Sequence, residues 1–487
     1  MLFTEPTFLF VFLPVLLALY TLPLPKNALL LVASIAFYAT GGGAFTWLML
    51  GSIAVNYLAA LRIDRLAGTP AAPRLLALTV AANLFVLGVF KYTGFAVANL
   101  NTVLELAGEM PLVVPAIALP IGISFFTFHA ISYVVDVKRG DAVAQKGPVE
   151  AALYLLLFPQ LIAGPIIRYR DIAAQLAGRV VTRADLAYGA RRFVVGLAKK
   201  MLVANIVAGP ADRIFALPVA ELTAPLAWLA VTCYTLQIYF DFSGYSDMAL
   251  GLGRLFGFRF PENFRYPYAA VSVQDFWRRW HISLSTWFRD YVYVPLGGNR
   301  VSPLRTHLNL VIVFFLCGLW HGAAWTFVAW GLFHGAFLVG ERVRADRAPT
   351  PAAAPGLASR VAGHVYTLLV VMVGWVLFRA DTLAQAGGML RAMAGFGHGL
   401  PTTYAWSWDV TPELILAFGC GLVGATPLLA RLARRWSAGG GGAAGNLAPT
   451  LPWAASAAVA VVLVVLLGAS VMLSAARTYS PFIYFRF

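Results

Sequence analysis

The sequence is poor in charge and in cysteine. Asp, Glu, Lys and Arg together make up 12% of its 487 residues, about half the roughly 25% of an ordinary soluble domain. A soluble fold of this length could not cover its surface with so few charges. That excludes the two to four soluble domains that length alone would allow. The three cysteines, Cys233, Cys317 and Cys420, are scattered in apolar sequence. They form no CxxC or Cys/His spacing, so neither a disulfide framework nor a zinc site is indicated. P-loop, GxGxxG, HExxH and Ser-His-Asp signatures are also missing, which removes the familiar soluble nucleotide-binding and hydrolase folds. No internal repeat is evident, which weakens a transporter built from inverted repeats.

What is abundant is apolar sequence. Hydrophobic residues are 60% of the chain, against roughly 45–50% in a soluble protein, and the mean hydropathy is +0.76. The expected class is an all-α polytopic membrane protein, a single unit over 1–487. Lys plus Arg number 36 against 21 Asp plus Glu, a net +15. In a soluble chain that excess would suggest nucleic-acid binding. Here the basic residues fall between apolar runs, as the positive-inside rule requires.

A span needs roughly 20 apolar residues. Candidates lie at 8–24, 28–41, 44–61, 75–99, 112–136, 193–215, 224–240, 306–319, 323–340, 362–378, 412–430 and 452–474. The expectation is about 11–13 transmembrane helices. The 8–24 run has Glu5 where a signal peptide carries a basic n-region, so it reads as the first span. Five basic clusters should be cytoplasmic: Arg62/Arg65/Arg74, Lys138/Arg139/Lys146, Arg168 through Lys200, Arg342/Arg344/Arg347/Arg360, and Arg431/Arg434/Arg435. Loop 100–111 carries Glu105 and Glu109 without Lys or Arg, and Glu221 marks a similar loop. These should face outward, with the amino terminus outside. Segments 348–356 and 437–445, rich in Ala/Pro and Gly respectively, read as linkers.

Two stretches depart from simple hairpins. Leu153–Ile167 contains Phe158-Pro159-Gln160-Leu161-Ile162-Ala163-Gly164-Pro165. Its prolines and glycine break helical hydrogen bonding, and irregular backbone at membrane depth survives only against protein or a cavity. A re-entrant or broken helix lining a cavity is expected. The second stretch, 241–305, is too polar to span and rich in aromatics. Placing 275–291 on one helix puts Trp277, Trp280, His281, Leu284, Trp287, Phe288 and Tyr291 on one face. Asp275, Arg278, Arg279, Ser285, Thr286, Arg289 and Asp290 fall on the other. That pattern predicts an amphipathic helix at the cytoplasmic membrane interface.

The histidines are the chemical candidates. His321, in Cys317-Gly318-Leu319-Trp320-His321-Gly322, lies between apolar runs of the 306–345 region. An ionisable group at membrane depth is costly and is a functional candidate by default. Histidine is also the natural base near neutral pH. A helix-packing role is the competing reading. His281, on the aromatic face, reads either as a structural histidine or as a working group, and both readings stand. His334 is 13 residues beyond His321, roughly 220° around a continuous helix, hence on another face. His129 sits in a further apolar run. His307, His364 and His398 fall near loops or ends. A base and a polar partner without a protein nucleophile point to group transfer onto a substrate hydroxyl.

At these residues the sequence resembles the membrane-bound O-acyltransferase family, in its alginate O-acetylase-like, bacterial polysaccharide O-acetylase branch. The resemblance rests on Pro120–Phe128, Ser132–Val137, Phe158–Ile166, 237–300, Gly318-Leu319-Trp320-His321-Gly322 and the closing Pro481–Phe487. His129 departs from it, standing where the family pattern has Gln. The resemblance implies a helical ring around a central tunnel, with His321 as the catalytic residue and His281 as the second polar position. It further implies transfer of an acetyl group from a cytoplasmic thioester, acetyl-CoA, towards hydroxyls of an exported polysaccharide. A periplasmic SGNH-type partner and a bacterial inner-membrane location go with it, and no bound cofactor or metal. Asp241, Asp247, Arg278 and Arg279 are candidates for the donor mouth, the arginines suiting an anionic coenzyme. The competing functions are a transporter or flippase without chemistry of its own, and a scaffold for a periplasmic acetylase.

Overall fold

A computed structural model describes residues 1–347, 356–397, 404–432 and 453–476. The two linker segments (save Gly356), His398, Arg434, Arg435 and the closing 481–487 motif lie outside the described residues. The described residues form helices and connecting loops, without a strand among them. In order it forms α1 (Leu13–Thr21), α2 (Lys26–Gly42), α3 (Phe45–Arg65), α4 (Ala71–Leu106), α5 (Ile123–Arg139), α6 (Pro148–Leu156), α7 (Phe158–Leu161), α8 (Tyr169–Ala177) and α9 (Arg183–Ala198). There follow α10 (Asn205–Phe215), α11 (Ala224–Leu255), α12 (Val273–Trp277), α13 (Ile282–Phe288), α14 (Pro303–His321), α15 (Trp325–Asp346), α16 (Leu357–Arg379), α17 (Leu383–Met393), α18 (Pro412–Gly424) and α19 (Trp453–Ala476).

Among the described residues, six helices are long and apolar enough to cross a bilayer: α3, α4, the rod Arg183–Phe215, α14, α16 and Ser456–Ala476 of α19. Phe8–Thr21 and α18 are apolar but shorter. The protein is therefore an all-α polytopic membrane protein. Several expected spans take another form, each for a physical reason. At the start of the 112–136 run, Pro111, Pro115 and Pro120 deny the backbone its helical donors, so 109–120 is non-helical and helix begins only at Ile123. The broken helix expected at 153–167 is present. α6 ends at Leu156, α7 is a single turn, and Leu153–Ile167 is buried throughout.

The largest correction concerns the boundary placed at 241. Helix α11 runs unbroken through it, and every residue from Cys233 to Gly253 is buried. A helix buried on all sides is a core element. Its polar residues stay inside because partners meet them. A π-helical turn, Lys199–Ala204, joins α9 to α10. It brings Lys199 to Asp247 and Lys200 to Asp241, each at 2.7 Å. Asp241 is fully buried in this pair rather than placed at an open mouth.

Small residues let α9 and α11 come together. A Cβ on Gly196 would lie 2.6 Å from Gly244 O, and one on Gly189 would lie 2.8 Å from Gly251 O. Close backbone approach through small residues is how helices associate where lipid offers no hydrophobic driving force. Gly196→Leu should therefore separate the pair and cost at least the about 1–3 kcal/mol of an overpacked core. The matched change Gly51→Leu, where a Cβ meets nothing within 4 Å, should be silent. Melting of the two purified variants in detergent checks this: a large fall is expected for the first and none for the second.

Candidate active site

His321 is the last residue of α14, at the tip of the α14–α15 hairpin, and is 5% exposed. Backbone contact holds the hairpin shut one turn below it. A Cβ on Gly318 would run into Phe327 O, and one on Gly331 into Phe314 O. Three rings surround the imidazole: Trp320 at 4.9 Å, Trp330 at 5.1 Å and Phe378 at 5.1 Å between centroids. Its Nδ1 has no hydrogen-bond partner among the described residues.

The carbonyls at the end of α14 are satisfied from α4. Lys91 Nζ donates to Trp320 O, to His321 O at 3.2 Å and to Ser124 Oγ at 3.5 Å. Tyr92 donates its hydroxyl to Leu319 O at 2.7 Å. A cation over exposed C-terminal carbonyls completes a helix end both by hydrogen bonding and against the macrodipole. Sequence reasoning passed over Lys91. The available signal was an ammonium in the middle of an apolar run. Lys91, Ser124, Trp320, His321 and the broken segment's Ile162 line a cavity of about 120 Å³.

His281 does not lie on the continuous amphipathic helix expected over 275–291. α12 stops at Trp277, and His281 adopts φ 42°, ψ 54° before α13 begins. The left-handed region is rare for a non-glycine residue, and among the described residues Tyr266 shares it. Because of this break the aromatic face turns into the protein: Trp277, Trp280, Leu284, Trp287 and Phe288 are all buried rather than lying at the membrane surface. Ile282 N donates to Asn263 O at 3.0 Å, and Ser283 N donates to Asn263 Oδ1 at 3.1 Å. A backbone N–H can only donate, so the Asn263 atom that meets it is the oxygen. His281 Nδ1, 3.2 Å from the same oxygen, must therefore carry the proton. This leaves Nε2 as the lone-pair nitrogen of the neutral ring, buried and without a partner among the described residues. Buried polar atoms are normally satisfied, and exceptions call for a functional reason.

His281 and Lys91 both lie within electrostatic reach of His321. Rings of His281 and Trp320 are 6.2 Å apart, edge to face. The chain of rings continues from His281 to Phe242 at 4.6 Å and on to Phe264 at 4.9 Å. Phe264 lines a second, larger cavity of about 950 Å³, together with Asp247, Arg192 and Lys199. Of the donor-mouth candidates, Asp247 thus faces this cavity, held by Arg192 and Lys199 at 2.7 Å each. Arg278 is exposed on the turn leading to His281, and Arg279 pairs with Asp275 at 2.8 Å. Neither arginine lines either cavity.

The remaining histidines are accounted for separately. His129 accepts from Ile167 N at 3.2 Å, tying α5 to the broken segment. His334 lies on α15, so the continuous helix assumed for its angle to His321 does not exist. Its ring also packs against Trp330, at 5.2 Å. The three cysteines are free. Among the described residues no cluster of three metal-ligating groups occurs.

The sequence profile of the membrane-bound O-acyltransferase family matches residues 121–379. The chain belongs to that family. It is 43% identical over 512 residues, spanning all of both chains, to a protein of Azotobacter vinelandii described as a probable alginate O-acetylase. It is 36% identical to a peptidoglycan O-acetyltransferase of Helicobacter pylori, over 81% of this chain and 80% of that one. A teichoic acid D-alanyltransferase of Bacillus subtilis is 32% identical over 45% of this chain and 58% of its own. The acyltransferase is thus an enzyme of the O-acetyltransferase type, with an acyl donor as substrate.

Ionic contacts hold the His281 segment of this acyltransferase in place. Asp290, just after α13, meets Arg168, Arg170 at 2.6 Å and Arg289 at 2.8 Å. Tyr291 donates to Asp136 of α5 at 2.5 Å. Burial acts to raise the Asp290 carboxyl, but the guanidiniums of Arg289, Arg168 and Arg170 outweigh it and hold the group below its ordinary value. A depressed folded value means that its stabilisation is present above the unfolded value, about 3.9, and is lost as pH falls through the folded one. Asp290→Asn should lose about 1.5–3 kcal/mol at neutral pH, as for hydrogen bonds to charged groups. The deficit should vanish at the acid end. Melting curves of both proteins from pH 7 to pH 3 check this.

Proposed function

We propose that the enzyme moves an acetyl group from a cytoplasmic acetyl thioester, acetyl-CoA, towards hydroxyls of an exported polysaccharide, alginate being the acceptor its relatives' descriptions suggest. His321 acts as the general base. The observation that carries this reading is the buried pair His321 and His281, each with an unpartnered ring nitrogen among the described residues and each with its ring against Trp320, at 4.9 and 6.2 Å between centroids. In the proposed step His321 takes the proton of the acceptor hydroxyl as its oxygen attacks the thioester carbonyl. A C–O bond forms, the C–S bond breaks, and the proton returns to the departing thiolate. The neutral Nε2 of His281 accepts a hydrogen bond beside it, its ring orientation fixed through Asn263. Lys91 lines the wall of the same cavity.

Two features support a relay. At about 120 Å³ the His321 cavity is below the roughly 300–1,000 Å³ of common ligand sites. It suits a single hydroxyl-bearing group better than a length of polymer. A periplasmic SGNH-type partner would then place the acetyl group on the chain. The basic loops point the His281 side to the cytoplasm of an inner membrane by the positive-inside rule. Arg278 and Arg279, exposed or partly exposed on the turn before His281, are the proposed contacts for the anionic donor.

His321→Ala should lower acetyl transfer by about 10²–10⁴-fold, the usual share of a general base, with normal membrane insertion and unchanged polymer export. Lost export with retained acetylation would favour the transporter reading instead. The double change Arg278→Ala/Arg279→Ala should raise the apparent KM for the donor and flatten its salt dependence while leaving kcat near the parent value. An unchanged KM and salt slope would remove the arginines from the donor site.

A further inference from the structure

The 950 Å³ cavity has a second property that acyl transfer does not use. It lies between α9 with its π turn, α11, α18 and α19, and its volume is near the top of the usual range for ligand sites. Most of its lining is apolar, including Leu202, Ile206, Leu416, Leu466 and Leu473, and α18 adds the carboxylate of Glu413. Its wall helix α19 is the most apolar candidate span, with a mean hydropathy of 2.6 and only 6% of its window buried. On the α19 side the cavity therefore borders the bilayer, and on the α11 side it borders the protein core. One end is cationic. Arg192 and Lys199 there are held by Asp247 and Glu262. Arg191 and Arg265 line the same end, are exposed, and have no carboxylate at ion-pair distance among the described residues. Phe264 of its lining packs edge to face on Phe242, which in turn meets His281.

We propose that this cavity is a binding site for an anionic phospholipid, its acyl chains along α18 and α19 and its phosphate between Arg191 and Arg265. Basic pockets between transmembrane helices on the cytoplasmic side are suited to anionic lipid headgroups. The free arginines supply the charge complement, and the aliphatic walls supply the surface for chains. A polypeptide helix would leave the two arginines without a counter-charge. A soluble thioester would leave the aliphatic length unfilled.

The test uses the full-length protein purified in a neutral detergent. Its melting is followed with added phosphatidylglycerol, phosphatidylcholine or inorganic phosphate, and bound lipid is counted by native mass spectrometry. Phosphatidylglycerol should raise the melting temperature by several degrees and remain bound, whereas phosphatidylcholine and phosphate should do neither. Arg191→Gln/Arg265→Gln should weaken phosphatidylglycerol binding at least tenfold, and Arg191→Lys/Arg265→Lys should retain most of it. Ala469→Trp, which fills the apolar length without altering charge, should also displace the lipid. Equal shifts from phosphatidylcholine, an equal shift from phosphate alone, undiminished binding in the Gln variant, or a bound polypeptide in place of lipid would each overturn the proposal.

Discussion

Two helix backbones touch at Gly318 and Gly331, and the centre of the molecule depends on that contact. With the α14–α15 hairpin closed there, the chain after Gly318 has nowhere to go but into the ring cluster of Trp320, Trp330 and Phe378. His321 therefore ends its helix in an apolar, enclosed place. The exposed carbonyls that such an ending leaves would be costly at membrane depth. Lys91 and Tyr92 of α4 meet them. Lys91, which completes the helix, also lines the cavity, so the stability of the hairpin end and the composition of the cavity wall are one problem.

The second half of the site is reached from the other direction. His281 is held in a left-handed turn, a conformation worth about 1–3 kcal/mol of strain for a non-glycine residue. Asn263 offsets that strain by meeting the two backbone N–H groups that follow His281, those of Ile282 and Ser283, and the imidazole itself. Asp290 and its arginines then fasten the following segment to α5 and α8. Further out, α11 supports both halves from behind. Its buried carboxylates are paired by lysines that the π turn brings round, and its glycines admit α9. The carboxylates of Asp241 and Asp247 inside the membrane region are thus each met by a lysine.

Much of this was legible in the sequence. Low charge and long apolar runs specify the membrane class, and the proline-rich 158–165 segment announces a broken, buried helix. The histidine of Trp320-His321-Gly322 stands out because its neighbours are apolar. Periodicity failed where partners decide. Nothing local says that Asp241 and Asp247 continue α11, because the lysines that allow it come from a turn some 40–50 residues earlier in the chain. The helical wheel over 275–291 chose the right buried face but missed the break at His281, which is fixed by Asn263. Lys91 went unremarked because its partners are carbonyls 229 and 230 residues away.

The central claim is that His321 serves a transfer between two compartments, with the donor entering on the His281 side. Proteoliposomes of known orientation, given labelled acetyl-CoA on one face and a hydroxyl acceptor on the other, test it directly. Label should reach the acceptor only when the donor is on the face carrying the basic loops, and His321→Ala should abolish the transfer. Equal labelling from either face, or undiminished labelling by the variant, would contradict the account.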